Sequence, residues 1–84
     1  MNRYTVVWVE SAQNELTDLW IVDPNRRAIT AAADAIDHEL AIDAATKGIK
    51  LSEGLRALFS PPLRVLFTVR EEDHIAEVLR VKLL

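Results

Sequence analysis

Four basic side chains recur inside the apolar runs of the last third of the chain: Arg56, Arg64, Arg80 and Lys82. They lie in GLRALFSPPLRVLFTVREEDHIAEVLRVKLL, which covers Gly54 to Leu84. Guanidinium groups gathered on one sheet face bind phosphates bidentately and stabilise the charge that develops in phosphoryl transfer. The candidate roles are Arg64 as a charge-stabilising group and Arg56, Arg80 and Lys82 as phosphate contacts. A solvated outer sheet face carries the same alternation of charge, so spacing alone leaves both readings open. Arg64 differs from the rest. It falls early on the central run among apolar neighbours, where a lone charge is costly without a partner.

Other groups offer less chemistry. Asp34 and His38 stand four apart on a helical segment, with Asp37 and Glu39 adjacent, and such a pair can share a metal. Two ligands on a polar helix face describe a solvated surface equally well, and no metal site is assigned. His74 follows an acidic turn with nothing beside it to make it a general base. Ser11, Ser52 and Ser60 fall at a cap, a loop and a turn without a histidine–carboxylate arrangement. There are two glycines and no phosphate-binding loop. The chain has no cysteine, which excludes disulfides and zinc–thiolate sites. No cofactor is expected.

The elements that must position these groups follow from periodicity. Tyr4 to Val9 reads as a strand with Tyr4, Val6 and Trp8 on one face. Ser11 is a candidate helix cap, and Ala12, Leu16, Leu19 and Trp20 follow at helical spacing to about Val22. Asp23-Pro24 ends that helix and starts a second, with Asp23 as cap and Pro24 in the first turn. The second helix runs to roughly Ala44 with Ile29, Ala32 or Ala33, Ile36 and Leu40 as its stripe. A short Asp-Pro link makes the two an antiparallel hairpin. Residues 45–53 read as a loop or frayed end. Three strands follow at about Leu55–Ser60, Leu63–Arg70 and Ile75–Leu83.

A register can be proposed for the meander. Setting Phe59 against Val65 pairs Ala57 with Phe67 and Leu55 with Val69 on one apolar face. Arg56, Arg64 and Thr68 then share the other, with Leu58 and Leu66 between them. A three-residue turn over 71–73 sets Val65 against Leu79 and Arg64 against Arg80, with Lys82 on the Arg80 face. Glu77 is left on the core face, and a one-residue slip would turn a strand over. Trp8, Trp20, Phe59 and Phe67 read as core.

Eighty-four residues suffice for one domain, 1–84, and half are apolar, as in ordinary globular proteins. The net charge of −3 conceals a split. Residues 1–43 carry three basic and eight acidic side chains, a net −5, and residues 44–84 carry seven and five, a net +2. Such a split can orient a polyanion. Polar residues interrupt every apolar run well short of the roughly 20 residues a membrane helix needs. No membrane partner is expected, and a cytoplasmic location is.

The layout is strand, helical hairpin and three-stranded meander. With Tyr4-x-Val6-x-Trp8, AAADAIDHEL over 31–40, and above all Leu63-Arg64-Val65-Leu66-Phe67 within the closing segment, it resembles the RelE/ParE superfamily of type II toxins. The resemblance covers nearly all of the chain. It implies an α+β fold of order β-α-α-β-β-β, with the helical hairpin on one face of a small, twisted, mainly antiparallel sheet. It also implies a cognate antitoxin as partner. RelE-like toxins cleave mRNA on the ribosome through basic residues of the sheet, and Arg64 matches the arginine they place on this strand. ParE-like toxins inhibit DNA gyrase without nuclease chemistry. A relative that only binds a partner is the third possibility.

Overall fold

The computed structural model describes residues 2–84. Its elements are β1 (Thr5–Trp8), α1 (Glu10–Val22), α2 (Arg26–Ala41), a 3-10 turn (Ala44–Thr46), β2 (Ile49–Ser52), β3 (Leu55–Ser60), β4 (Leu63–Arg70) and β5 (Ile75–Leu83). The strands form one sheet in the order β1-β5-β4-β3-β2. β1 runs parallel to β5 and every other neighbouring pair is antiparallel. The expected α+β order is present, with one strand more than periodicity indicates.

That strand is β2, in the segment that reads as a loop. All four of its residues are exposed, so it carries no burial pattern for a sequence to display. Pairing with β3 through the turn at Gly54 makes it a strand. Gly48, just before it, has φ 67°, and a Cβ there would lie 2.1 Å from the Ala57 carbonyl oxygen. Only glycine lets the chain pass β3 that closely.

The helices cover one side of the sheet. α2 buries the expected stripe: Ile29, Ala32, Ile36 and Leu40. Its cap is Asn25 rather than Asp23, because the Asn25 side-chain oxygen accepts from the Ala28 N–H at 3.4 Å while Asp23 accepts from the Asn25 N–H at 2.7 Å. The helix stops at Ala41, where Ile42 turns extended and bridges to Arg3. α1 begins at Glu10, with Ser11 inside the helix instead of capping it. Ala12 is buried, and Leu16 and Leu19 pack partly against the core. Trp20, expected inside, is 42% exposed. Its ring lies under the Arg26 guanidinium at 4.7 Å, and Arg26 also donates to the Trp20 and Ile21 carbonyls at 3.0 and 3.1 Å. One side chain thus closes the end of α1, whose own last turn has no basic residue.

β4 is the centre of the sheet. Leu63, Val65 and Phe67 are fully buried on its helix side, and Ala76, Val78 and Val81 of β5 join them. The β3–β4 register differs from the expected one by one residue: Phe59 faces Arg64, Leu58 faces Val65 and Arg56 faces Phe67. The proline pair decides this. Phe59 against Val65 would set Pro61 against Leu63 across a single-residue turn, and proline has no N–H to give a ladder. Pairing Ser60 with Leu63 leaves only Pro61 and Pro62 in the turn. A one-residue shift reverses the strand's faces. Leu58 and Arg56 therefore lie on the helix side, and Ala57 and Phe59 on the outer side.

β5 departs from expectation too. The 71–74 turn has four residues, and a bulge follows: Phe67 pairs with Val78 but Leu66 pairs with Arg80, leaving Leu79 extra. Val65 therefore meets Val81 instead of Leu79, and Arg64 meets Lys82 instead of Arg80. The longer turn, which shifts β5 by one residue against the three-residue expectation, removes the buried acid that expectation implied. Glu77 faces Thr68 on the outer side and accepts from Arg70 Nε at 3.0 Å.

Candidate functional site

The four basic candidates do not form one cluster. Arg56 points to the helix side, where its Nε donates to the Lys47 carbonyl at 2.7 Å and Nη2 reaches the Gly48 carbonyl at 3.5 Å. It fastens β3 to the loop leaving the 3-10 turn. It is not on the phosphate-binding face assigned to it from sequence, because the Pro61-Pro62 turn moves β3 by one residue.

Arg80 lies on the outer side by register but reaches round the edge of β5. Its Nε donates to Glu15 Oε2 at 2.9 Å, and Glu15 Oε1 accepts from the Val81 N–H at 3.1 Å. β1 pairs with β5 only as far as Val78, so Val81 is on an otherwise open edge. One carboxylate of α1 thus takes a ladder N–H and neutralises the adjacent guanidinium. Arg80 thus has a carboxylate partner, unlike Arg64 and Lys82.

Arg64 and Lys82 do come together. They are direct cross-strand partners on the outer side, with Phe59 facing Arg64 from β3. Facing side chains of this kind have Cβ atoms about 5 Å apart, and like charges so placed repel. Among the described residues neither has a carboxylate within ion-pair distance. Arg64 is half-buried, and its Nε is enclosed with no hydrogen-bond partner. Among the described residues this guanidinium has no counter-charge. An anion on the outer face would answer the repulsion and meet the exposed end of the guanidinium.

Phe59 is the residue that alternation misplaces. Alternation puts it in the core, and it is 47% exposed beside Arg64. The signal that finds it is the two-residue proline turn, which fixes the register once proline's missing donor is counted. Glu15 escapes sequence reasoning as well, since nothing local ties it to a strand 65 residues away.

The remaining candidates are structural. His38 Nδ1 is 2.8 Å from the Asp34 carbonyl, which can only accept, so that nitrogen donates. Asp37 Oδ1 accepts from Trp8 Nε1 at 2.7 Å. Among the described residues no three His, Asp or Glu side chains gather as metal ligands. His74 is exposed at φ 51°, its ring 5.3 Å from that of Tyr4. Between the helices, on the side away from the sheet's outer face, a groove of about 530 Å³ is floored by Trp8, Leu16, Trp20 and Ala33 and edged by Asp34 and Asp37. Among the described residues no helix is long and apolar enough to cross a membrane.

No family model matches the sequence, and no curated protein matches it either. Solved structures do match the fold. Over all of this chain and 94% of its counterpart, it superposes on a chain of the RelBE2 toxin–antitoxin complex of Mycobacterium tuberculosis, with TM-score 0.81 at 22% identity. The chromosomal ParDE system of P. aeruginosa gives 0.66 at 17% identity, covering 98% of this chain and 97% of that one. The archaeal RelE–RelB complex of Pyrococcus horikoshii gives 0.57 at 17%, covering 98% and 96%. With the strand order and the helical hairpin in place, the chain has the fold seen in these RelE and ParE toxin–antitoxin structures.

Proposed function

We propose that this chain is the toxin of a type II toxin–antitoxin module and that it inhibits translation by cleaving mRNA on the ribosome. The observation that carries the reading is Arg64: a half-buried guanidinium on the outer sheet face, opposite Lys82, with an enclosed Nε that nothing satisfies. In the cleavage step the 2′-oxygen bonds to the adjacent phosphorus and the bond to the 5′-oxygen breaks. The 2′-hydroxyl proton is lost to water or a ribosomal group, and the leaving 5′-oxygen gains one. Negative charge builds on the non-bridging oxygens, and in this reading Arg64 binds it. Lys82 adds charge to the same site, while Arg56 and Arg80 serve the fold.

The partner in this reading is a cognate antitoxin. The matched structures are toxin–antitoxin complexes of the same fold, and the apolar, acid-edged groove between α1 and α2 offers a second surface for one.

A second reading is gyrase inhibition, a protein-binding function. It is favoured by the engagement of Arg56 with backbone carbonyls and of Arg80 with Glu15, which leaves Arg64 and Lys82 as the cations without an ion-pair partner among these four. The ParDE match is in line with it. Inducing the chain in a bacterium beside Arg64→Ala separates the two. Rapid mRNA loss that Arg64→Ala abolishes supports the nuclease. A DNA-damage response with intact mRNA supports gyrase as target. Unimpaired growth rejects both toxin readings and leaves a relative that only binds a partner.

A further inference from the structure

We propose that Phe59 is a base-stacking platform, and that the cross-strand row Phe59–Arg64–Lys82 holds one nucleotide of single-stranded RNA, its base on the ring and its phosphate against the two cations. The inference rests on the nuclease reading and names a residue that reading does not use.

Three observations support it. The row is built by register: Phe59 faces Arg64 and Arg64 faces Lys82, on three successive strands. Neighbouring strands lie about 4.8 Å apart, so ring and outermost cation stem from backbones roughly 10 Å apart, with Arg64 between them. That places an aromatic surface and a phosphate site within reach of one nucleotide. Second, the ring is available. Phe59 is 47% exposed, and among the described residues the one cation stacked on an aromatic ring is Arg26 over Trp20, at the far end of the helical hairpin. Third, the cations want an anion. They face each other without a carboxylate partner, and Glu77 on the same sheet face is held by Arg70. Ile49 beside Ala57 continues the apolar side of the row on β2. Aromatic rings interleaved with cations bind single strands with little sequence preference, because every base offers a π-face.

The test is binding of a short, labelled, mixed-sequence single-stranded oligoribonucleotide to the purified chain, by fluorescence anisotropy across a salt series. Phe59→Leu should weaken binding by roughly five- to 150-fold, and Phe59→Trp should restore it. Phe59→Leu should leave the slope of log affinity against log salt unchanged, while Arg64→Ala and Lys82→Ala each reduce it by about 0.7. An unchanged urea midpoint for Phe59→Leu shows that the fold survives. If Phe59→Leu binds like the parent while Arg64→Ala does not, Phe59 has no such role and the nuclease reading stands. If the parent fails to bind, or no variant in the row alters binding, the RNA face falls with it. Loss of antitoxin affinity in Phe59→Leu with RNA affinity intact overturns the proposal in favour of a protein contact.

Discussion

Replacing Arg64 by methionine should stabilise the protein while abolishing the proposed mRNA cleavage. The side chain holds an enclosed Nε without a partner, and an unsatisfied buried donor costs about 1–3 kcal/mol. It also faces Lys82 directly, and opposed like charges add roughly 0.2–1 kcal/mol. Methionine keeps most of the unbranched stem, so the packing on the outer face beside Phe59 is largely retained. Some of the donor penalty is already relieved by solvent at the exposed end of the guanidinium. We therefore expect a net gain of about 1 kcal/mol, which for a domain of this size raises Tm by about 4–8 °C. Urea unfolding followed by circular dichroism measures it, with calorimetry for Tm. Lys82→Met should give only the repulsive part, and that part should shrink as salt screens the exposed ammonium. A double-mutant cycle isolates the Arg64–Lys82 coupling. If Arg64→Met instead unfolds at lower urea than the parent, the guanidinium is satisfied by its surroundings, and the reasoning that it waits for an anion is wrong.

Glu15→Ala removes the acceptor of a ladder N–H and the partner of Arg80, and should cost about 1–3 kcal/mol in urea unfolding; a loss below experimental error would mean the β5 edge is held by other contacts. Gly48→Ala must fit a Cβ 2.1 Å from a backbone oxygen at φ 67°, so a loss above about 2 kcal/mol, or failure to accumulate folded protein, is expected. Phe67→Ala, at the buried centre of β4, should cost about 3–5 kcal/mol, whereas Trp20→Ala should cost less than half as much because its ring is partly in solvent. Equal losses for the two would return Trp20 to the core.

Legibility in the sequence tracks the scale of the interaction. The α2 stripe can be read because helical periodicity and burial coincide at Ile29, Ala32, Ile36 and Leu40. Arg64 can be singled out because a charge among buried residues is conspicuous wherever the strand pairs. Its neighbours cannot be read from alternation, since alternation gives the faces of each strand but not which face meets which. That depends on the proline turn and on the bulge at Leu79, each worth one residue. β2 is hidden for another reason: all its residues are exposed, and pairing to β3 alone defines it. Glu15 is beyond reach, since α1 meets β5 only through the tertiary fold.

The bulge also bears on which length changes this strand can accept. Deleting a residue beyond the bulge, such as Val81, turns Arg80 or Lys82 onto the core face. Leu79 is different, because it has no partner on β4. Without it, Val78, Arg80, Val81 and Lys82 still alternate inward and outward in their present sense. The strand would lose its local bend and keep its pleat. A single-codon deletion at Leu79 is thus tolerable to the sheet's two faces and leaves Arg64 opposite Lys82, while beyond the bulge the same change drives a charge inward.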